Sequence, residues 1–145
     1  MKNLKVVFVV ASLIVSLFAV EGITLRDFKE PKPSVEDINH SNHIYAMCLE
    51  DYPTANTADI LMIIVKQKIL VPEANFESLL KPLKDIITKT DDRQVRKFAM
   101  IAYLSISTDY QLNIDKDQLY NKDVEEFFSF INFQLPKELV VMDNF

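Results

Sequence analysis

The 145-residue chain has a single glycine, a single cysteine and no tryptophan. Nucleophile elbows and phosphate-binding loops need glycines at fixed places, so neither is expected. One cysteine makes neither an internal disulfide framework nor a Cys-rich zinc site. Positive charge is in short supply as well. Sixteen Lys and Arg face 21 Asp and Glu, a formal net charge of −5. Nucleic-acid-binding domains are normally basic, so no nucleic-acid partner is expected. What the chain does have is apolar mass. At 49% hydrophobic residues it is too apolar for a disordered segment, and its length suits one domain.

The start of the chain is a leader pattern. Lys2 and Lys5 precede fifteen uncharged residues, Val6 to Val20, and polar sequence begins at Thr24. A basic start, a short apolar run and a small residue at the cut describe a secretory signal peptide. Val20 and Gly22 fit positions −3 and −1, which places cleavage after Gly22 and the signal at residues 1–22. A spanning helix needs about 20 apolar residues, and this run is shorter. The expectation is a secreted, extracellular protein with no stable membrane insertion after cleavage. Cleavage removes Lys2, Lys5 and Glu21, which takes the formal charge to −6, and it removes the only glycine. Tight hairpin turns need positive φ, most cheaply supplied by glycine. A glycine-free chain of this size argues against a many-stranded sandwich or barrel.

Residues 23–33, with Pro31 and Pro33, read as an extended N-terminal arm. Ser34 is an expected N-cap, with Glu36 and Asp37 in the first turn, where the helix dipole favours acids. Ile38, Tyr45 and Leu49 share a face, and Pro53 ends the helix. Thr57 is the next expected cap, before the run of six apolar residues Ile60–Val65. Such a run suits a buried strand or a buried helix by periodicity alone; the missing turn glycines and the helical neighbours favour a central helix. Phe76, Leu79, Leu80, Leu83 and Ile87 recur at helical spacing, with Asn75 able to cap and Pro82 predicting a kink or two short helices in line. Thr90 is expected to cap an amphipathic helix that carries Val95, Phe98, Ala99, Ala102 and Ile106 on one side and Arg93, Arg96 and Lys97 on the other. Residues 109–114 read as a loop and 116–120 as a short helical turn. A last helix from Asn121 or Lys122 aligns Val124, Phe127, Phe128 and Ile131, with Phe130 and Phe133 making it apolar nearly all round. Pro136 ends it, and 137–145 is an apolar tail. The predicted fold is all-α: a compact irregular bundle of five to six short helices, with one helical domain over 34–136.

Chemistry-bearing clusters are few. Glu36, His40 and His43 lie along one helix, but zinc sites usually draw further ligands from elsewhere, and the chain has no other His. No metal and no cofactor are expected. Asp115, Asp117 and Glu126 fit positions 1, 3 and 12 of a calcium loop, yet Tyr120 stands where that loop needs glycine. Cys48 and His43, five apart, do not share a helical face, so no catalytic residue is assigned and the chain is not expected to be an enzyme. Cys48 lies on the apolar side of its helix, which suits a buried free thiol; an odd cysteine in a secreted chain also permits an intermolecular disulfide. Asn39–His40–Ser41 is an N-glycosylation sequon, which makes Asn39 the candidate acceptor.

MCLEDYPTANTADI at 47–60 is similar to the first-cysteine region of insect odorant-binding proteins, and RKFAMIAYLSISTDYQLNIDKDQL at 96–119 resembles their central helix and following loop. The order, size and leader fit. That family is built on several disulfides, and here Phe98, Ala99, Ala102 and Tyr103 stand where paired cysteines belong. The spacing from Cys48 is also too long. The resemblance implies a secreted helical carrier and transfers no binding residue. From the residues themselves, the aromatic helices predict a small apolar ligand enclosed by Phe98, Ala102, Tyr103, Phe127, Phe128 and Ile131, since such pockets are mostly hydrophobic and often lie between helices. The alternative expectation is an extracellular protein partner met through a surface patch, as for a reproductive-tract or salivary effector.

Overall fold

The computed structural model describes residues 33–137, apart from 53 and 109. The expected signal at 1–22, most of the expected arm at 23–33 and the expected tail beyond Lys137 lie outside the described residues. The chain divides into two units, residues 1–31 and 32–145, and the described residues belong to the second. Within it run α1 (Val35–Glu50), α2 (Thr57–Leu70), α3 (Glu77–Lys89), α4 (Arg93–Ser107), a single 3₁₀ turn (Lys116–Leu119) and α5 (Val124–Gln134). No strand occurs among the described residues, and the all-α expectation holds.

α1, α3, α4 and α5 each start where a short polar side chain meets unpaired backbone N–H groups, whereas α2 starts after Asn56 with no side-chain cap bond. Ser34 caps α1 in a reciprocal box with Asp37: the Asp37 N–H donates to Ser34 Oγ at 3.1 Å, and the Ser34 N–H donates to the Asp37 carboxylate at 3.2 Å. Two sequence-predicted caps are corrected. Thr57 is not a cap but the first residue of α2, buried, with Oγ1 donating to Thr54 O at 2.9 Å. Thr90 is not the cap of α4; that residue is Asp92, whose Oδ1 accepts from the N–H groups of Gln94 and Val95 at 2.8 and 3.1 Å. Thr90 instead is a buried junction. Its Oγ1 meets the Tyr52 hydroxyl and accepts from Asp92 N–H, while its carbonyl accepts from the Arg96 guanidinium.

α3 runs as one continuous helix through Pro82, which is buried in its second turn. A proline there forgoes one ladder bond, to Ser78 O, and Pro82 is buried along with Leu79, Leu83 and Ile86 of the same helix. Asn75 does its capping work from just outside the helix, where its Oδ1 accepts from Glu77 N–H at 2.8 Å. Asn121 adopts φ 65°, the left-handed turn that glycine would otherwise supply; asparagine tolerates it better than most residues. The chain then enters α5 through the Asp123 cap, whose carboxylate accepts from Glu126 N–H at 2.8 Å.

The core gathers around α4, which packs against α2, α3 and α5. Its expected one-sided stripe is therefore too narrow. Ile101, Leu104 and Ser105 are buried as well as Phe98, Ala99, Ala102 and Ile106. Ser105 is tolerated inside because its hydroxyl donates to Ile101 O at 2.8 Å. In α2, Ile60, Leu61, Ile64 and Val65 are buried, and Met62 and Ile63 are half-buried, as a nearly central helix requires.

Candidate functional site

The residues expected to line a ligand pocket are brought together, but on one another. The Phe98 and Phe128 rings stack with centroids 4.3 Å apart and planes 13° from parallel. Phe127 meets Phe128 edge-on at 5.5 Å. Phe127, Phe128, Ile131 and Ala102 are all 0% exposed, and Tyr103 is half-buried against the core. Stacking at that separation leaves no room for a ligand between Phe98 and Phe128. Offset and edge-on rings are the favoured arrangements of the aromatic quadrupole, so the cluster reads as self-sufficient packing. It also fixes α5, whose first turn is held to α4 by the Gln94 amide donating to Glu125 at 2.7 Å.

The outer side of α5 is different. Phe133 is 86% exposed, the most open of the large apolar side chains among the described residues. Phe130, one turn earlier, is half-buried, with the Lys122 ammonium 5.0 Å from its ring centroid. Ser129 and Glu126 lie exposed beside them. Residues three and four apart adjoin on a helix surface, so α5 presents two aromatic rings framed by polar groups. The sequence signalled an all-round apolar helix; it did not signal which ring stays in water.

Two hollows open elsewhere. One, of about 290 Å³, lies between the end of α2, α4 and the loop after it, with Lys68, Ile69, Pro72, Ser105, Tyr110 and Leu112 in its walls. The other, a wider and shallower hollow of about 450 Å³, is lined by Asn39, His43, Asn75, Glu77 and Ser78. Behind the second is an asparagine clamp that sequence reasoning missed. The Asn75 N–H donates to Asn39 Oδ1 at 2.7 Å, and Asn42 Nδ2 donates to Asn75 O at 2.8 Å. Two side chains of α1 thus grip both backbone groups of one residue, much as a neighbouring strand would. Asn42 is 1% exposed; its Nδ2 is paired with the Asn75 carbonyl, while its Oδ1 is buried without a hydrogen-bond partner.

The electrostatics are mild. Side-chain and then backbone hydrogen bonding with Ser34 holds the Asp37 carboxyl below its usual range. Burial pushes the Tyr45 phenol up, and burial followed by the charge of Asp51 does the same to the Cys48 thiol. Burial lowers Lys66, whose ammonium sits 5.1 Å from the Phe127 ring centroid. Cys48 is a half-buried free thiol. Among the described residues no group of three or more His, Cys, Asp or Glu converges to hold a metal, and His40 and His43 are exposed. Among them, too, no helix is long and apolar enough to cross a membrane.

The chain matches no protein-family model, and comparison with curated proteins and with solved structures finds no match. The likeness to insect odorant-binding proteins gains no support there, so neither fold nor site is taken from it.

Proposed function

We propose that this chain is an extracellular, non-enzymatic interaction protein that engages a protein partner through the outer face of α5. The observation that carries the reading is Phe133, 86% exposed on a helix whose inner side is completely buried. Aromatic rings are the usual anchors of protein interfaces, seated in a pocket of the partner and ringed by polar contacts. The chain's net charge of −5 and the exposed Glu126 favour a partner with a basic rim around that pocket. A photo-crosslinking residue at position 133 tests this in the fluid that receives the protein, with the same group at exposed Lys97 as control. One discrete protein adduct from position 133, absent from position 97, is the expected result. No adduct, or the same adducts from both positions, refutes it.

The carrier reading keeps one specific support, the hollow of about 290 Å³ beside Ser105. Its size is at the lower end for small-molecule sites, and Ile69, Pro72 and Leu112 offer an apolar wall. A small ligand with an apolar body and one hydrogen-bonding head suits it. Filling the hollow with Leu112→Trp should then abolish saturable one-to-one binding of an apolar fluorescent probe. Unchanged binding by the folded variant ends this reading.

A further inference from the structure

Asn39 combines three properties. It is the acceptor of the sequon Asn39–His40–Ser41, its side chain lies on the exposed surface of α1, and only its amide oxygen is used, by the Asn75 N–H at 2.7 Å. An asparagine that carries a sugar keeps that oxygen and loses only one proton of Nδ2. The polar hollow beside it, walled by His43, Glu77 and Ser78, has about 450 Å³ of open space.

We infer that Asn39 carries an N-linked glycan whose first sugar lies across this hollow while the amide oxygen still holds Asn75. The inference rests on the export reading, since the modification needs a eukaryotic secretory lumen. In the step, a lipid-linked oligosaccharide pyrophosphate gives its sugar to Asn39. A bond forms between the anomeric carbon and Nδ2, and the bond from that carbon to the phosphate oxygen breaks. The pyrophosphate leaves with the electron pair, and Nδ2 releases one proton. Transfer precedes the folding of α1, because in the helix the Ser41 hydroxyl is tied to Asp37 O at 2.8 Å and the sequon is wound up. Folding then places the glycosylated side chain against Asn75 with no bond of the clamp given up. A sugar there covers the α1–α3 side and leaves the α5 face uncovered.

The test is expression of the full chain in cultured insect cells, with amidase deglycosylation read by gel mobility and intact mass. The wild type should lose one glycan. Ser41→Ala removes the sequon but keeps the Asn39 clamp, and Asn39→Asp keeps an acceptor for Asn75; both should run as the deglycosylated form and melt near it. Asn39→Ala loses glycan and clamp together and should melt lower than Ser41→Ala. The backbone resonances of His43 and Ser78 should differ between the glycosylated protein and Ser41→Ala; coincident resonances overturn the placement of the sugar. A wild-type chain without a glycan, in the medium or in the cells, overturns the inference. Its recovery in the medium would at the same time leave the export reading standing.

Discussion

Phe98 and Phe133 are the same residue type with opposite fates. Phe98 stacks on Phe128 inside the core, and Phe133 faces solvent. Chemical denaturation should therefore separate them: Phe98→Ala costs about 3–5 kcal/mol, while Phe133→Ser stays within about 0.5 kcal/mol of wild type. A small loss at Phe98 would mean that the stack is not part of the native core. The Phe98 result was legible in the stripe Val95, Phe98, Ala99, Ala102. Phe133 was not, because an apolar residue on a helix apolar all round carries no marker of which side a neighbour covers. Asp37 supplies a pH test. Its bonds to Ser34 favour the ionised form, so between the folded value and the ordinary 3.8 the unfolded chain binds more protons. Stability then rises with pH; the contribution is present above about pH 4 and disappears as the pH falls through the folded value. An NMR titration should find Asp37 below the ordinary value in the wild type and closer to it in Ser34→Ala, which loses the hydroxyl bond but keeps the backbone N–H of residue 34 as a donor. An unchanged midpoint would remove the capping box from the account.

At the level of helices, existence was legible and ends were not. Thr57 stands one position from the N-cap residue Asn56 and Thr90 two from the N-cap Asp92, amid other residues with capping side chains, and local sequence does not rank such neighbours. The structure ranks them by burial: Thr90 is drawn inside to join Tyr52, Asp92 and Arg96, which leaves Asp92 to cap α4. Asp92→Ala should cost about 0.5–2 kcal/mol, measured by thermal unfolding, and the exposed neighbour Asp91→Ala should cost less. Equal losses would show that Asp92 is not the cap. Asn42 was beyond sequence reasoning altogether, because its partner lies 33 residues away. A polar residue between Ile38 and Ala46 on the inner side of α1 reads as a flaw in the stripe until Asn75 is seen. Asn42→Leu should cost about 1–3 kcal/mol despite its greater hydrophobicity, since it leaves the Asn75 carbonyl without its donor. A neutral or stabilising result would mean that the clamp adds nothing.

For the whole molecule, the scarcity of glycine, one in 145 residues, was the strongest single clue. It argued against tight hairpins, and Asn121 at φ 65° shows how one left-handed turn is made without it. The aromatic cluster was legible as a set of residues but not as a solid, because pattern alone does not distinguish rings that line a space from rings that fill it. Circular dichroism should show the double minimum of helix; a single strand-type minimum would contradict the fold. The place of α4, in contact with α2, α3 and α5, has a consequence for how the molecule opens. A peripheral helix can detach and return while the rest stays folded, but α4 cannot leave without dissolving three interfaces at once. Its central amides, Ala99 and Ala102, should exchange hydrogen with solvent only through global unfolding. Their opening free energy should equal the total stability and fall with denaturant at the full global slope, while amides of α1 and α5 exchange through smaller openings.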